Sequence, residues 1–259
     1  WEGIRLHKSK LVFISEHLDR LFNSARGISL NIPLSKDEII FEIEKVLLKN
    51  EMTDDVHIRL IVSRGDKITP YQNPNANIGP VNFVIIPEYK KTDPKIYENG
   101  IIIGRVSTIR PAENILSTHY NTLSKLNCIL ASIEANKLQY DEGIMNDPHG
   151  NISTCNSTNL FFIKKNQVWT STGKFCLNGI TRSKAIQVCH MNEIPCNEAN
   201  FIFEDIKDCE EAFVTGTFAG IIPVSKIEKH ELSSTNPNSL VNKIRASYNQ
   251  YINQYISTQ

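Results

Sequence analysis

Two short segments of this chain carry residue types suited to gripping an anion. Gly179-Ile180-Thr181-Arg182 precedes Ala185, Ile186, Val188 and Cys189, which fall on one side of a helix. A loop feeding a helix in this way gathers free backbone N–H groups and the positive helix end around a negative charge. Glu16-His17-Leu18-Asp19-Arg20 reads in isolation as a solvated helix turn, but its arginine has the planar, permanently charged fork that matches phosphate. Thr215-Gly216-Thr217 reads by itself as a β-turn. Arg59 lies within a further strand-like run and Arg64 at its end, where each reads first as a partner for an acid on a sheet face.

Other chemistries find little support. There is no GxSxG or phosphate-loop signature, the histidines lack metal-ligand spacing, and Cys155 beside Thr154 reads as a buried, inert thiol. No lysine occurs between Lys95 and Lys125, a gap that includes Ser117-Thr118-His119-Tyr120-Asn121-Thr122-Leu123-Ser124.

The elements that must position these residues follow from composition and periodicity. With 259 residues the chain can bury a large core in one large domain or two ordinary ones, and two lobes is the expectation. Lysine plus arginine equals aspartate plus glutamate at 28 each, so no global field draws the protein to nucleic acid or an anionic membrane. A small-molecule or protein partner is expected instead. No apolar run approaches the roughly 20 residues of a membrane span. Six scattered cysteines without a CxxC pair, and no signal-like start, read as reduced thiols in an intracellular protein, cytoplasmic or organellar.

Leu11-Val12-Phe13-Ile14 predicts a strand feeding a helix capped by Ser15, with Leu18, Leu21, Phe22 and Ala25 at helical spacing. Ser35-Lys36-Asp37-Glu38 resembles a capping box before a second helix over 36–49. The runs 57–65 and 81–87 predict paired strands around a proline- and glycine-bearing loop. The pattern breaks over 94–100, and a strand begins at Gly100. A helix over 123–137 has Leu126, Ile129, Leu130, Ile133 and Ala135 on its face, followed by β segments at 143–145, 160–163 and 167–170. Late buried strands at 211–217 and 220–224 and a closing helix over 239–256 complete the pattern.

In chain order, Trp1-Glu2-Gly3-Ile4-Arg5, Glu16 through Ala25, Ile58-Arg59 with Ser63-Arg64-Gly65, Leu177-Asn178-Gly179-Ile180-Thr181-Arg182, and Thr215-Gly216-Thr217 together resemble the class IV aminotransferases. These pyridoxal-phosphate enzymes include branched-chain and D-amino acid aminotransferases and aminodeoxychorismate lyases. The resemblance implies an α+β or α/β two-lobe fold like that of D-amino acid aminotransferase. Its small N-terminal α/β lobe would span 1–98, without its first strands, and a larger barrel-like lobe 99–259. It implies a homodimer. It also implies that Arg20, Ile180, Thr181, Gly216 and Thr217 hold a cofactor phosphate, and that Arg59 and Arg64 face substrate, Arg64 being favoured for the substrate contact.

Two positions depart from the family pattern. Its lysine, which holds the cofactor aldehyde as an imine, aligns with Asn121; His119 and Tyr120 are the adjacent candidates, and Lys125 lies one helical turn further on. Its glutamate, which keeps the pyridine nitrogen protonated, aligns with Thr154, whose hydroxyl brings no charge. The expectation is a divergent homologue that keeps a phosphate cup for a ligand bearing phosphate or carboxylate but lacks standard transamination, with pyridoxal phosphate non-covalent or absent and no metal. The rival expectations are an active transaminase or lyase using a non-standard lysine, and a non-enzymatic ligand-binding or scaffold subunit.

Overall fold

Alternation along the first residues sets the smaller unit. In a computed structural model, which describes residues 1–258, strand β1 (Glu2–His7) buries Glu2, Ile4 and Leu6 on one face, the period of a pleated strand. It pairs antiparallel with β2 (Lys10–Val12) and with β3 (Val56–Ser63), which pairs in turn with β4 (Asn82–Tyr89), giving the order β2-β1-β3-β4. Helices α1 (Ile14–Gly27) and α2 (Lys36–Lys49) cover the inward face, where Leu18, Leu21, Ile39, Ile43 and Leu47 meet Ile4, Leu6, Val56, Ile58 and Leu60. Residues Trp1–Lys91, joined by Tyr120–Leu123, form this unit.

The helix-start expectations fare differently. Ser35 accepts from Glu38 N at 3.2 Å while the Glu38 carboxylate accepts from Ser35 N at 2.7 Å, so the capping box forms as expected. Ser15, in contrast, is not a cap. Phe13 occupies that position with φ 55°, and Ser15 lies in the first helical turn. Because β2 ends at Val12, the chain must reverse within one residue, which a left-handed conformation achieves.

The larger unit comprises Thr92–His119 and Ser124–Thr258. A short helix α3 (Lys95–Asn99) leads into β5 (Ile101–Arg105), then α4 (Leu126–Lys137), β6 (Glu142–Asn146), β7 (Ile152–Cys155), β8 (Asn159–Lys164), β9 (Gln167–Thr170), α5 (Ile180–Met191), β10 (Cys196–Glu198), β11 (Glu211–Gly216), β12 (Gly220–Ile227), β13 (His230–Glu231) and α6 (Leu240–Ser257). The strands form one mixed, curled sheet ordered β10-β9-β8-β11-β12-β5-β6-β7, with β13 paired to β12. Phe161 and Phe213 stack with ring centroids 4.6 Å apart, directly opposite each other on neighbouring strands.

Helix α4 corrects two expectations. It begins at Leu126 rather than Leu123, and it buries Ala131 and Ala135 while Leu126, Ile129, Leu130 and Ile133 stay exposed. Small residues let the helix sit close to β6, so the larger apolar side chains project away. No helix of the described residues is long and apolar enough to cross a membrane.

Helix α2 offers a contrast that tests this packing. Ile43 is fully buried and Phe41 is 62% exposed. Ile43→Ala is expected to cost about 2–5 kcal/mol, whereas Phe41→Ala stays within about 0.5 kcal/mol, read from urea unfolding midpoints.

Candidate functional site

In the smaller unit, the candidate residues converge at the start of β1. The inward alternation that buries Ile4 and Leu6 also carries the Glu2 carboxylate into the core, where it has no exposed surface. A buried charge must be paired and hydrogen-bonded. Arg20 donates from Nε to Oε1 at 2.9 Å and from Nη2 to Oε2 at 2.6 Å, and His17 Nδ1–H donates to Oε2 at 2.7 Å. His17 and Arg20 lie three residues apart on α1, so one helix face supplies both. Burial pushes Glu2 upward, but the bonds from His17 and Arg20 outweigh it and hold its carboxyl below the ordinary value of 4.5.

Asn121 sits beside this clamp. It is 3% exposed; its backbone N–H donates to Ser24 Oγ at 3.1 Å, its carbonyl accepts from Trp1 N at 2.8 Å, and its Nδ2 donates to the Trp1 carbonyl at 2.6 Å. Ser24 is one turn beyond Arg20 on α1, so Arg20 and the Asn121 strap share a helix face. The Trp1 indole donates to Thr122 O at 3.0 Å and lies under Arg59, whose Cζ is 4.5 Å from the ring centroid. Arg59 is exposed on the outward sheet face. Arg64 donates to the carbonyls of Ile28 and Ser29 beyond the end of α1. The Tyr120 ring rests on Gly27, where an added Cβ would lie 2.1 Å from Cζ and would have to displace the ring. Burial, then the charges of Lys90 and Arg59, lower His57 despite Glu88 nearby.

In the larger unit, α5 starts at Ile180 with Gly179 at its cap position and no side chain capping it. Ile180 and Thr181 thus supply the first backbone N–H groups of the helix, and Thr181 is buried. Gly216 ends β11, and Thr217 is half-buried in the turn to β12. Thr154 is buried, and its hydroxyl donates to Thr158 O at 2.6 Å. Asn159 Nδ2 donates to Leu177 O at 3.0 Å and lies 3.4 Å from Thr154 Oγ1, and the backbone of Gly179 approaches Asn159 Oδ1. Thr154 and the start of α5 are thereby brought together through Asn159. His119 pairs with Glu113 at 3.0 Å at the surface, and Lys125 occupies the cap position of α4. Burial first, then the charge of Glu142, pushes the Cys155 thiol far up, which leaves it without nucleophilic thiolate. Among the described residues no group of three or more His, Cys, Asp or Glu is arranged to hold a metal.

The sequence reading did not identify Glu2, His17, Trp1 or Asn159 as individual site residues. Glu2 carried a signal, an acid in phase with the apolar Ile4 and Leu6 of a strand. Asn159 carried a weaker one, a polar residue opening the apolar run 160–163.

Glu2→Gln should cost about 3–5 kcal/mol at neutral pH, because the half-buried Arg20 guanidinium then loses the buried carboxylate that compensates its charge. The wild-type contribution is complete above pH 4.5, the ordinary carboxyl value, and is lost as pH falls through the lowered folded value. Unfolding free energies measured from pH 7 downward should therefore converge for the wild type and the variant.

The family model for amino-transferase class IV matches residues 1–227. Branched-chain-amino-acid aminotransferase-like protein 2 of Arabidopsis thaliana is 33% identical over 252 residues, covering 96% of this chain and 44% of that protein. The chain thus spans less than half the length of this relative, and 41% of the similarly described protein 1 of the same plant. Among solved structures, the branched-chain amino acid aminotransferase of Escherichia coli superposes with a TM-score of 0.88 at 26% identity, covering 96% of this chain and 84% of that one. An aminotransferase from Brucella abortus bound to the cofactor PLP gives 0.85 at 22% identity, over 97% and 88% of the two chains, and shows the shared fold.

Proposed function

From the premise that this chain belongs to the amino-transferase class IV family, we propose that it binds a phosphate ester and does not carry out transamination through a lysine imine. One observation carries this reading. At the position that matches the family's lysine, the Asn121 carboxamide donates to the Trp1 carbonyl at 2.6 Å, and an amide nitrogen is no nucleophile toward an aldehyde.

Pyridoxal phosphate, the group this family implies, fits these residues in part. The residue types of the family's phosphate positions are present in each unit by itself: the start of α5 at Ile180 and Thr181 and the turn at Gly216 and Thr217 in the larger, and Arg20, oriented by Glu2, in the smaller. The groups that operate the ring are not matched. No amine occurs in Tyr120–Leu123, and the only proton of the Thr154 hydroxyl is committed to Thr158 O, so that hydroxyl has neither charge nor donor for a pyridine nitrogen. The group's usual chemistry as an electron sink has no protein support here. What these residues do is bind an anion. Arg59, exposed over Trp1, offers the carboxylate contact, while Arg64 is engaged with backbone carbonyls.

The test is chemical trapping. Incubation with pyridoxal phosphate and then borohydride should yield no pyridoxyl-lysine peptide, whereas Asn121→Lys should yield one at position 121. A wild-type adduct at Lys125, together with amino-group transfer to 2-oxoglutarate that Lys125→Ala abolishes, would overturn the proposal.

The exposed apolar side chains of α4 support association with a second copy of the chain. Leu126, Ile129, Leu130 and Ile133 are each 46% to 67% exposed on one helix, more than isolated surface residues require. Sedimentation should show a dimer, and Ile129→Asp with Leu130→Asp should shift it to monomer with the circular dichroism unchanged.

A further inference from the structure

Asn121 has one unmet requirement. Three of its four polar groups are satisfied by Ser24 and Trp1, and the fourth, Oδ1, is buried without a hydrogen-bond partner. The carboxamide cannot be turned to exchange its ends. The atom 2.6 Å from the Trp1 carbonyl must be the NH₂, because that carbonyl only accepts. The orphan is therefore an acceptor, and an unpaired buried acceptor carries a desolvation cost that a suitable donor removes. It lies near Arg20, since the strap is tied to Ser24, one turn and roughly 6 Å along α1 from that arginine.

Resting on the phosphate-binding reading above, we infer that the ligand carries an N–H or O–H donor on the ring carbon where pyridoxal phosphate carries its aldehyde. An aldehyde oxygen facing Asn121 Oδ1 would set acceptor against acceptor. An amine or hydroxymethyl group supplies the missing donor, and neither needs a lysine to hold it. The residue that replaces the family's lysine thus selects a reduced or aminated ligand in place of the aldehyde.

Ligand variants test this without disturbing the fold. The full chain is titrated by calorimetry with pyridoxamine 5′-phosphate, pyridoxine 5′-phosphate, pyridoxal 5′-phosphate, 4′-deoxypyridoxine 5′-phosphate and inorganic phosphate. The amine and alcohol are expected to bind about 10-fold tighter than the 4′-deoxy compound, with the aldehyde no tighter than the latter. Asn121→Leu should level all four esters. Equal binding by the aldehyde or the 4′-deoxy compound, or a preference that survives Asn121→Leu, overturns the inference. If Asn121→Leu does not fold, the amine against the 4′-deoxy compound decides the matter on the wild type. Should all four esters bind alike, and all weaken with Arg20→Ala, the donor inference falls while phosphate binding stands. Should no ester and no inorganic phosphate bind, both fall.

Discussion

A carboxylate sealed from water organises the working end of the smaller unit. Glu2 is carried inward by the same alternation that buries Ile4 and Leu6, and it stays ionised there only because Arg20 and His17 fill its acceptor sites. That pairing constrains both elements at once. It sets where α1 lies along β1, and it turns the Arg20 guanidinium so that one edge faces Glu2. Trp1, the neighbouring residue, is then anchored by Asn121 and Thr122 and becomes the floor under Arg59. The orientation of Arg20 is thus set by one buried acid.

The larger unit shows a complementary division. Gly179, at the cap position of α5, makes no side-chain capping bond, and Thr217 is half-buried in a turn. Thr154 and Asn159 close instead on neighbouring backbone carbonyls, Thr154 on Thr158 O and Asn159 on Leu177 O. A hydroxyl that spends its proton on a neighbouring carbonyl is stable by itself, whereas a buried carboxylate there would have needed a cationic partner. Asn121 follows the same logic in part. It has become a strap between Trp1 and α1, which a lysine could not provide in the same way because it has no carboxamide to face a carbonyl at short range.

Much of the fold was legible in local pattern. The capping box at Ser35, the alternation of β3 and β4, the turn before α5 and the closing helix all depend on contacts within a few residues, which periodicity and capping chemistry encode directly. Periodicity failed at α4, where it identified a helix but not its buried side. An apolar stripe marks a face that avoids water, and it does not say whether the rest of the chain covers that face. Here Ala131 and Ala135 allow close approach to the sheet, and the larger residues are turned outward.

The candidate site divides along the same line. The sequence alone determined that position 121 carries no amine and position 154 no carboxylate, since these are matters of residue identity and order. Only the tertiary structure decided what these two residues contact. Glu2 meets partners 15 and 18 positions away, and Asn121 meets Trp1 across 120 positions. Hydrogen-bond partnership at such separations depends on how β1, α1 and the strap are packed, and no local spacing rule carries that information. The same packing leaves Asn121 Oδ1 as the acceptor without a donor, because the other end of its carboxamide is held by a carbonyl that can only accept.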